Sequence, residues 1–144
     1  PVAIDANGVV AGHGQLQSWL QDPGQPLGDD IIRVTGLIDE DLHGQQMDEG
    51  AIMAVLSRCS LLLGHNCRFD ASFLDRRLPE TRSMPWACSM TEVPWLELGF
   101  PCRRLEHLLM ESGAFYSPHR AAADVWALFQ LLQRNAELNP GVCG

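Results

Sequence analysis

Lysine is absent from this 144-residue chain: all ten basic residues are arginine, set against eighteen acids, and the net charge is −8. That balance excludes a broad cationic surface gripping a nucleic-acid backbone, so any polyanion must be held locally, by a few arginines or through metal ions. Long apolar runs are missing as well. No stretch approaches the ~20 consecutive apolar residues of a membrane span, and the first twenty residues lack the charged-then-apolar pattern of an export signal. The expectation is a soluble, cytoplasmic protein with no membrane partner. Cysteine is present but without a pattern. Cys59, Cys67, Cys88, Cys102 and Cys143 make an odd count, form no Cys-x-x-Cys pair and match no zinc spacing, which reads as reduced thiols.

What is present is a composition 46% apolar, enough for one domain with a real core and too short for two. Residues 1–144 are read as a single unit without repeats or linkers. Asn7-Gly8 is a strong hairpin signal, followed by alternation at Leu16 and Trp19, so two antiparallel strands are expected there. The segment "DPGQPLGDD" reads as loop from its prolines and glycines, and Asp39-Glu40-Asp41 suit the first turn of a short helix. Ile52, Val55 and Leu56 have helical spacing between Asp48 and Ser57, and Leu61 to Leu63 is a buried-strand candidate. Helices are expected from Cys67 to Leu78, Arg104 to Ser112 and Arg120 to Asn135, with "WACSM" as another short strand. Trp86, Trp95 and Trp126 sit among apolar residues and are expected in the core. Antiparallel strands followed by strands alternating with helices predict an α/β fold with a mixed sheet.

Two acids stand out against this framework. Asp70 falls in the first turn of its helix if the Asn66 side chain caps it, and Phe73, Leu74 and Leu78 continue the same face, so the carboxylate is expected to head a core-facing stripe. Asp124 shares a face with Leu128 and Leu131 on a helix that is apolar nearly all round. A charge on such a face is costly unless a cation meets it. His119 precedes Asp124 by five residues, about 140° of rotation on a regular helix, so the two converge only if the helix starts after the histidine. Two acids near element ends with an imidazole on a loop suit hard divalent cations and proton transfer. His65 stays open between a strand-end histidine bonded to backbone and a substrate contact.

The motifs Gly64-His65-Asn66-x-x-Phe69-Asp70 with Phe73-Leu74, and His119-x-x-x-x-Asp124 on a final helix, resemble the second and third motifs of the 3′-to-5′ proofreading exonuclease superfamily, in its DEDDh branch. "RVTGLIDEDL" is similar to that family's Ile-Thr-Gly-Ile-x-x-Glu segment, and "WACSM" to its Trp-x-Cys-Thr strand. "RRLEHLLMESG", a short distance before His119, also fits. The resemblance implies a ribonuclease H-like mixed sheet flanked by helices and two Mg²⁺ or Mn²⁺ ions held by four carboxylates. It also implies a histidine general base and release of nucleoside 5′-monophosphates from the 3′ end of DNA or RNA. By motif, Asp70 and Asp124 would be metal ligands and His119 the base, with His65, Asn66, Phe69 and Phe73 contacting or supporting the terminal nucleotide. The partners implied are single-stranded or 3′-end nucleic acid, with a DNA polymerase as a candidate.

The family's first motif, Asp-x-Glu-Thr on the first strand, is not in this sequence. Pro1 to Val10 aligns in order with the end of the second strand, so the expectation is a domain lacking its first strand, with two of its four acids upstream. Asp5, beside the Asn7-Gly8 turn, reads as a turn residue rather than a substitute ligand. The alternative function is a non-catalytic exonuclease-like module that binds or docks a partner.

Overall fold

The computed structural model describes residues 1–6, 9–114 and 120–138. The chain is a small α/β unit. Its described residues form four strands and seven helices: β1 (Val2–Ile4), β2 (Val10–His13), α1 (Asp29–Thr35), α2 (Asp39–Leu42), α3 (Glu49–Leu56), β3 (Leu62–Gly64), α4 (Cys67–Arg77), β4 (Trp86–Cys88), α5 (Ser89–Glu92), α6 (Leu105–Glu111) and α7 (Ala121–Leu138), with a 3-10 turn at Pro79–Ser83. The expected single mixed sheet is replaced, among the described residues, by two separate two-stranded ribbons, antiparallel β1–β2 and parallel β3–β4.

The local chemistry accounts for most boundaries. The Asp5 carboxylate accepts the Val9 amide at 2.9 Å, and the Asp5 amide bonds the Val9 carbonyl, also at 2.9 Å, so Asp5 is the turn residue that the sequence indicated. The Gly14 amide bonds back to the Pro1 carbonyl at 2.9 Å and closes the ribbon at its open end, so β2 ends at His13 and the alternation at Leu16 and Trp19 does not continue the strand. The Asp48 carboxylate caps α3 by accepting the Ala51 amide at 2.8 Å. Helix α1 begins inside the segment read as loop: Asp29 and Asp30 occupy its first turn, and Gly36 ends it in the left-handed conformation at φ 64°.

The core lies between α6, α7 and the chain following α5. Trp95, Leu108, Leu109, Ala127 and Leu131 form its buried centre, with Phe100 and Leu132 packed against it. Trp95 has 0% exposure, and its indole donates to the Ser89 carbonyl while its ring meets Phe100 edge-on at 5.4 Å. Trp126, expected in the core, is 42% exposed and stacks instead with Phe129 and His13 beside the hairpin. The reason is rotational: on α7 the buried stripe runs through Ala127, Leu128 and Leu131, and Trp126 lies one step round from it.

Candidate functional site

Parallel strands need a crossover, and here α4 supplies it, so the carboxyl ends of β3 and β4 lie side by side with Gly64 opposite Cys88. Ligand sites of open α/β sheets form at such ends. The chain turns from β3 into α4 so sharply that a Cβ on Gly64 would stand 2.9 Å from the Cys67 Cβ and 3.6 Å from the Asp70 Oδ2. Only glycine fits there, and its lack of a side chain is what lets the Asp70 carboxyl approach the strand end.

Asn66 occupies the cap position of α4, but its side chain makes no capping bond; the residue is in the left-handed region at φ 67° and ψ 42°. The expected side-chain cap is therefore corrected. The tight turn uses asparagine's tolerance of that conformation instead, and the Asn66 carbonyl accepts the Phe69 amide at 3.0 Å.

Asp70 is likewise not on a core-facing stripe. The residue is exposed, and Phe69 and Phe73 beside it are 62% and 54% exposed. Of Phe73, Leu74 and Leu78, only Leu78, at the far end of the face, is buried. Burial of the carboxyl end raises the Asp70 pKa above the ordinary carboxylate value, its own backbone amide opposes that, and the Asp124 charge adds to it. The two acids, distant in sequence, therefore share one electrostatic neighbourhood. Asp124 is half-buried in the first turn of α7, where its amide bonds the Arg120 carbonyl at 2.9 Å. Arg120 itself reaches the Gly36 carbonyl at 3.2 Å, which brings "RVTGL" against the start of the helix bearing Asp124.

His65 is held at both ring nitrogens. Nε2 lies 2.7 Å from the Arg103 carbonyl and Nδ1 lies 2.9 Å from the Ser89 hydroxyl. A carbonyl only accepts, so Nε2 carries the proton, while Nδ1 meets the Ser89 hydroxyl, whose single proton has the Gly64 carbonyl at 3.1 Å as a second acceptor. Burial lowers the His65 pKa, against the opposing pull of the Arg103 carbonyl, which agrees with the neutral ring. Of the two roles left open by the sequence, the geometry realises the strand-end histidine bonded to backbone; a substrate contact through either nitrogen requires breaking one of these bonds. Phe69 and Phe73 pair at 4.9 Å between ring centroids, and the Arg76 guanidinium stands 4.8 Å over the Phe73 ring.

The end of β3 and the start of α4 thus carry His65, Asn66, Phe69, Asp70 and Phe73, and the Asp124 charge at the start of α7 acts on Asp70, while His119 lies outside the described residues. Among the described residues no group of three or more histidine, cysteine or acidic side chains is placed to hold a metal ion. No described helix is long and apolar enough to cross a membrane. Sequence reasoning missed Gly64 as the residue that admits Asp70, and missed Ser89, Cys88 and Glu92 at the end of β4, where the Glu92 carboxylate accepts the Cys88 amide at 2.7 Å. The available signal was that both "LLLG" and "WACS" end short strands, and parallel neighbours bring such ends into contact. No family model matches the chain, and no curated protein matches it either.

Proposed function

We propose that this chain is a metal-dependent 3′-to-5′ exonuclease domain of the DEDDh type, on a ribonuclease H-like framework. What supports the reading is that Asp70 stands at the carboxyl end of β3 and feels the charge of Asp124, the pairing that the motif order requires. Hard carboxylate oxygens suit Mg²⁺ or Mn²⁺, so Asp70 and Asp124 would hold part of a divalent centre. Two acids supply half of the charge that two such ions need, and the Asp-x-Glu pair of the family's first motif would supply the rest. The chemistry a divalent ion would supply there is Lewis-acid activation of water and phosphate.

The protein's own groups have separable tasks. His119 would accept the proton of the attacking water. The exposed Phe69–Phe73 pair offers an aromatic platform for the terminal base, with Arg76 beside it for a phosphate or a second stacking plane. His65 and Asn66 support the turn that presents Asp70. A chain with a net charge of −8 and no lysine would grip only the 3′ end of a single strand, with a DNA polymerase as the candidate partner that delivers it.

The second reading, a non-catalytic exonuclease-like docking module, rests on the lack of an Asp-x-Glu motif in this sequence. One assay separates the two. The chain, alone and extended by an upstream strand bearing Asp-x-Glu, receives a 3′-labelled single-stranded oligonucleotide with Mn²⁺. The extended form is expected to release mononucleotides in a chelator-sensitive way, and Asp124→Asn to lower the rate by about 10²-fold or more. Inactivity of both forms would leave the docking module. Strong metal-dependent activity of residues 1–144 alone would show that the site lies elsewhere.

A further inference from the structure

The most unusual chemistry outside the acid pair lies around Gly64. Cys67 and Cys88 are 8% and 7% exposed and flank the same glycine: Cys88 is the register partner of Gly64, and the Cβ and Cα of Cys67 stand 2.9 and 3.2 Å from the position a Gly64 Cβ would take. The two side chains therefore meet beside Gly64, close enough for Cys88 to act on the Cys67 thiol. The Cys88 sulfur also faces the backbone amides of Asn66, Cys67 and Thr91 and the Thr91 hydroxyl. Converging amides of this kind form an anion-binding concavity, here aimed at a side chain of the same chain.

We propose that Cys67 and Cys88 are a peroxide-reactive thiol pair that closes to an intramolecular disulfide, with Cys88 as the attacking sulfur and Cys67 as the resolving one. The inference goes beyond the nuclease reading and does not depend on it. In the first step the Cys88 thiolate attacks one oxygen of hydrogen peroxide; the O–O bond breaks, Cys88 becomes a sulfenic acid, and hydroxide leaves and takes up a proton. In the second step the Cys67 sulfur, giving up its proton, attacks the Cys88 sulfur; the S–O bond breaks and water leaves. Two thiols and one peroxide thus become one disulfide and two waters, with the peroxide as the oxidant.

The division of roles follows from the environments. Burial acts to raise the Cys88 pKa, but the Thr91 hydroxyl and the amides of Cys67, Thr91 and Asn66 outweigh it and bring the pKa to about 6. Cys67 is pushed the other way, first by burial and then by its bond to Cys88 and the charges of Cys88, Glu92 and Asp70, so it stays a thiol and a hydrogen-bond donor. A low pKa raises the thiolate fraction at neutral pH by roughly 30-fold over an ordinary cysteine, yet lowers nucleophilicity by roughly 10-fold, so speed is not the signature. The signature is the product. A sulfenic acid formed in contact with a second sulfur is captured as a disulfide, whereas an isolated one proceeds to higher acids or couples between chains.

The test uses the full chain, purified under reductant, desalted and treated with hydrogen peroxide, then digested without reduction for mass spectrometry. The expected result is a single Cys67–Cys88 cross-linked peptide, a loss of about two titratable thiols per chain, and full recovery with dithiothreitol. With Cys67→Ser, Cys88 should instead trap a dimedone adduct; with Cys88→Ser, Cys67 should stay reduced. Because the unsubstituted chain already gives the decisive map, misfolding of either variant leaves the test intact. A cross-link that joins Cys88 to Cys59 or Cys102, or peroxide that oxidises those two while Cys67 and Cys88 stay reduced, would overturn the proposal.

Discussion

The two ribbons of this protein are nearly the same size and have opposite fates. In the antiparallel pair, all three β1 residues are exposed, including Val2 and Ile4. In the parallel pair, Leu62 and Cys88 are buried, and the strand ends carry the acid, the histidine clamp and the thiol pair. The difference comes from the connections. Antiparallel strands can be joined by a tight turn that brings no covering element, whereas parallel strands need a crossover, and the α4 that provides it delivers side chains to the strand ends. A ribbon becomes a site when its connection obliges other parts of the chain to pack against it.

That contrast is quantitative at its extremes. Truncating Leu108 to alanine at the centre of the core, where it is 0% exposed, should cost about 2–5 kcal/mol. Ile4→Ala in the exposed ribbon should stay within about 0.5 kcal/mol. Chemical denaturation of both variants is the measurement, and comparable losses would mean that the hairpin is covered after all.

A smaller but more specific effect is expected where β3 turns into α4. Gly64→Ala places a methyl group 2.9 Å from the Cys67 Cβ, so the helix start must shift, at a cost of about 1–3 kcal/mol. Because Asp70 Oδ2 lies 3.6 Å from the same methyl position and its helix start must move, the substitution should weaken Mn²⁺ binding in the extended protein, whereas Gly12→Ala, with open space around its Cβ position, should change neither stability nor binding. Unchanged metal affinity in Gly64→Ala would separate the turn from the acid site.

The mildest expectation concerns the clamp. His65 has its pKa lowered by burial, so as the pH falls below about 6.5 the unfolded chain takes up a proton that the folded chain resists. Its contribution is therefore fully present above that value and is lost progressively as the pH drops towards the lower folded-state pKa. Thermal melts between pH 7 and 5 should show this loss, and His65→Gln should flatten that part of the profile while lowering stability at pH 7. A profile unaffected by the substitution would mean that the ring is not held as the Ser89 and Arg103 contacts indicate.

By itself the sequence determined the local elements. Periodicity located α3, α4, α6 and α7 within a residue or a few of their ends, because that signal depends only on neighbours three or four positions away, and an antiparallel pair flanks Asn7-Gly8, which itself lies outside the described residues. It also singled out Asp70 and Asp124 as acids on otherwise apolar stretches. It overlooked α1, whose signals are two first-turn acids and a terminal glycine rather than an apolar stripe, and which has no buried residue. Only the tertiary structure decided which faces are covered: Asp70, Phe73 and Trp126 have the spacing of core positions, and all three are exposed because burial depends on what another element places opposite. It alone brought Asp124 into the field of Asp70, His65 between Ser89 and Arg103, and Cys67 against Cys88. The register of two parallel strands joins positions that no sequence spacing connects, so the chemistry of their shared ends becomes visible only when the strands are paired.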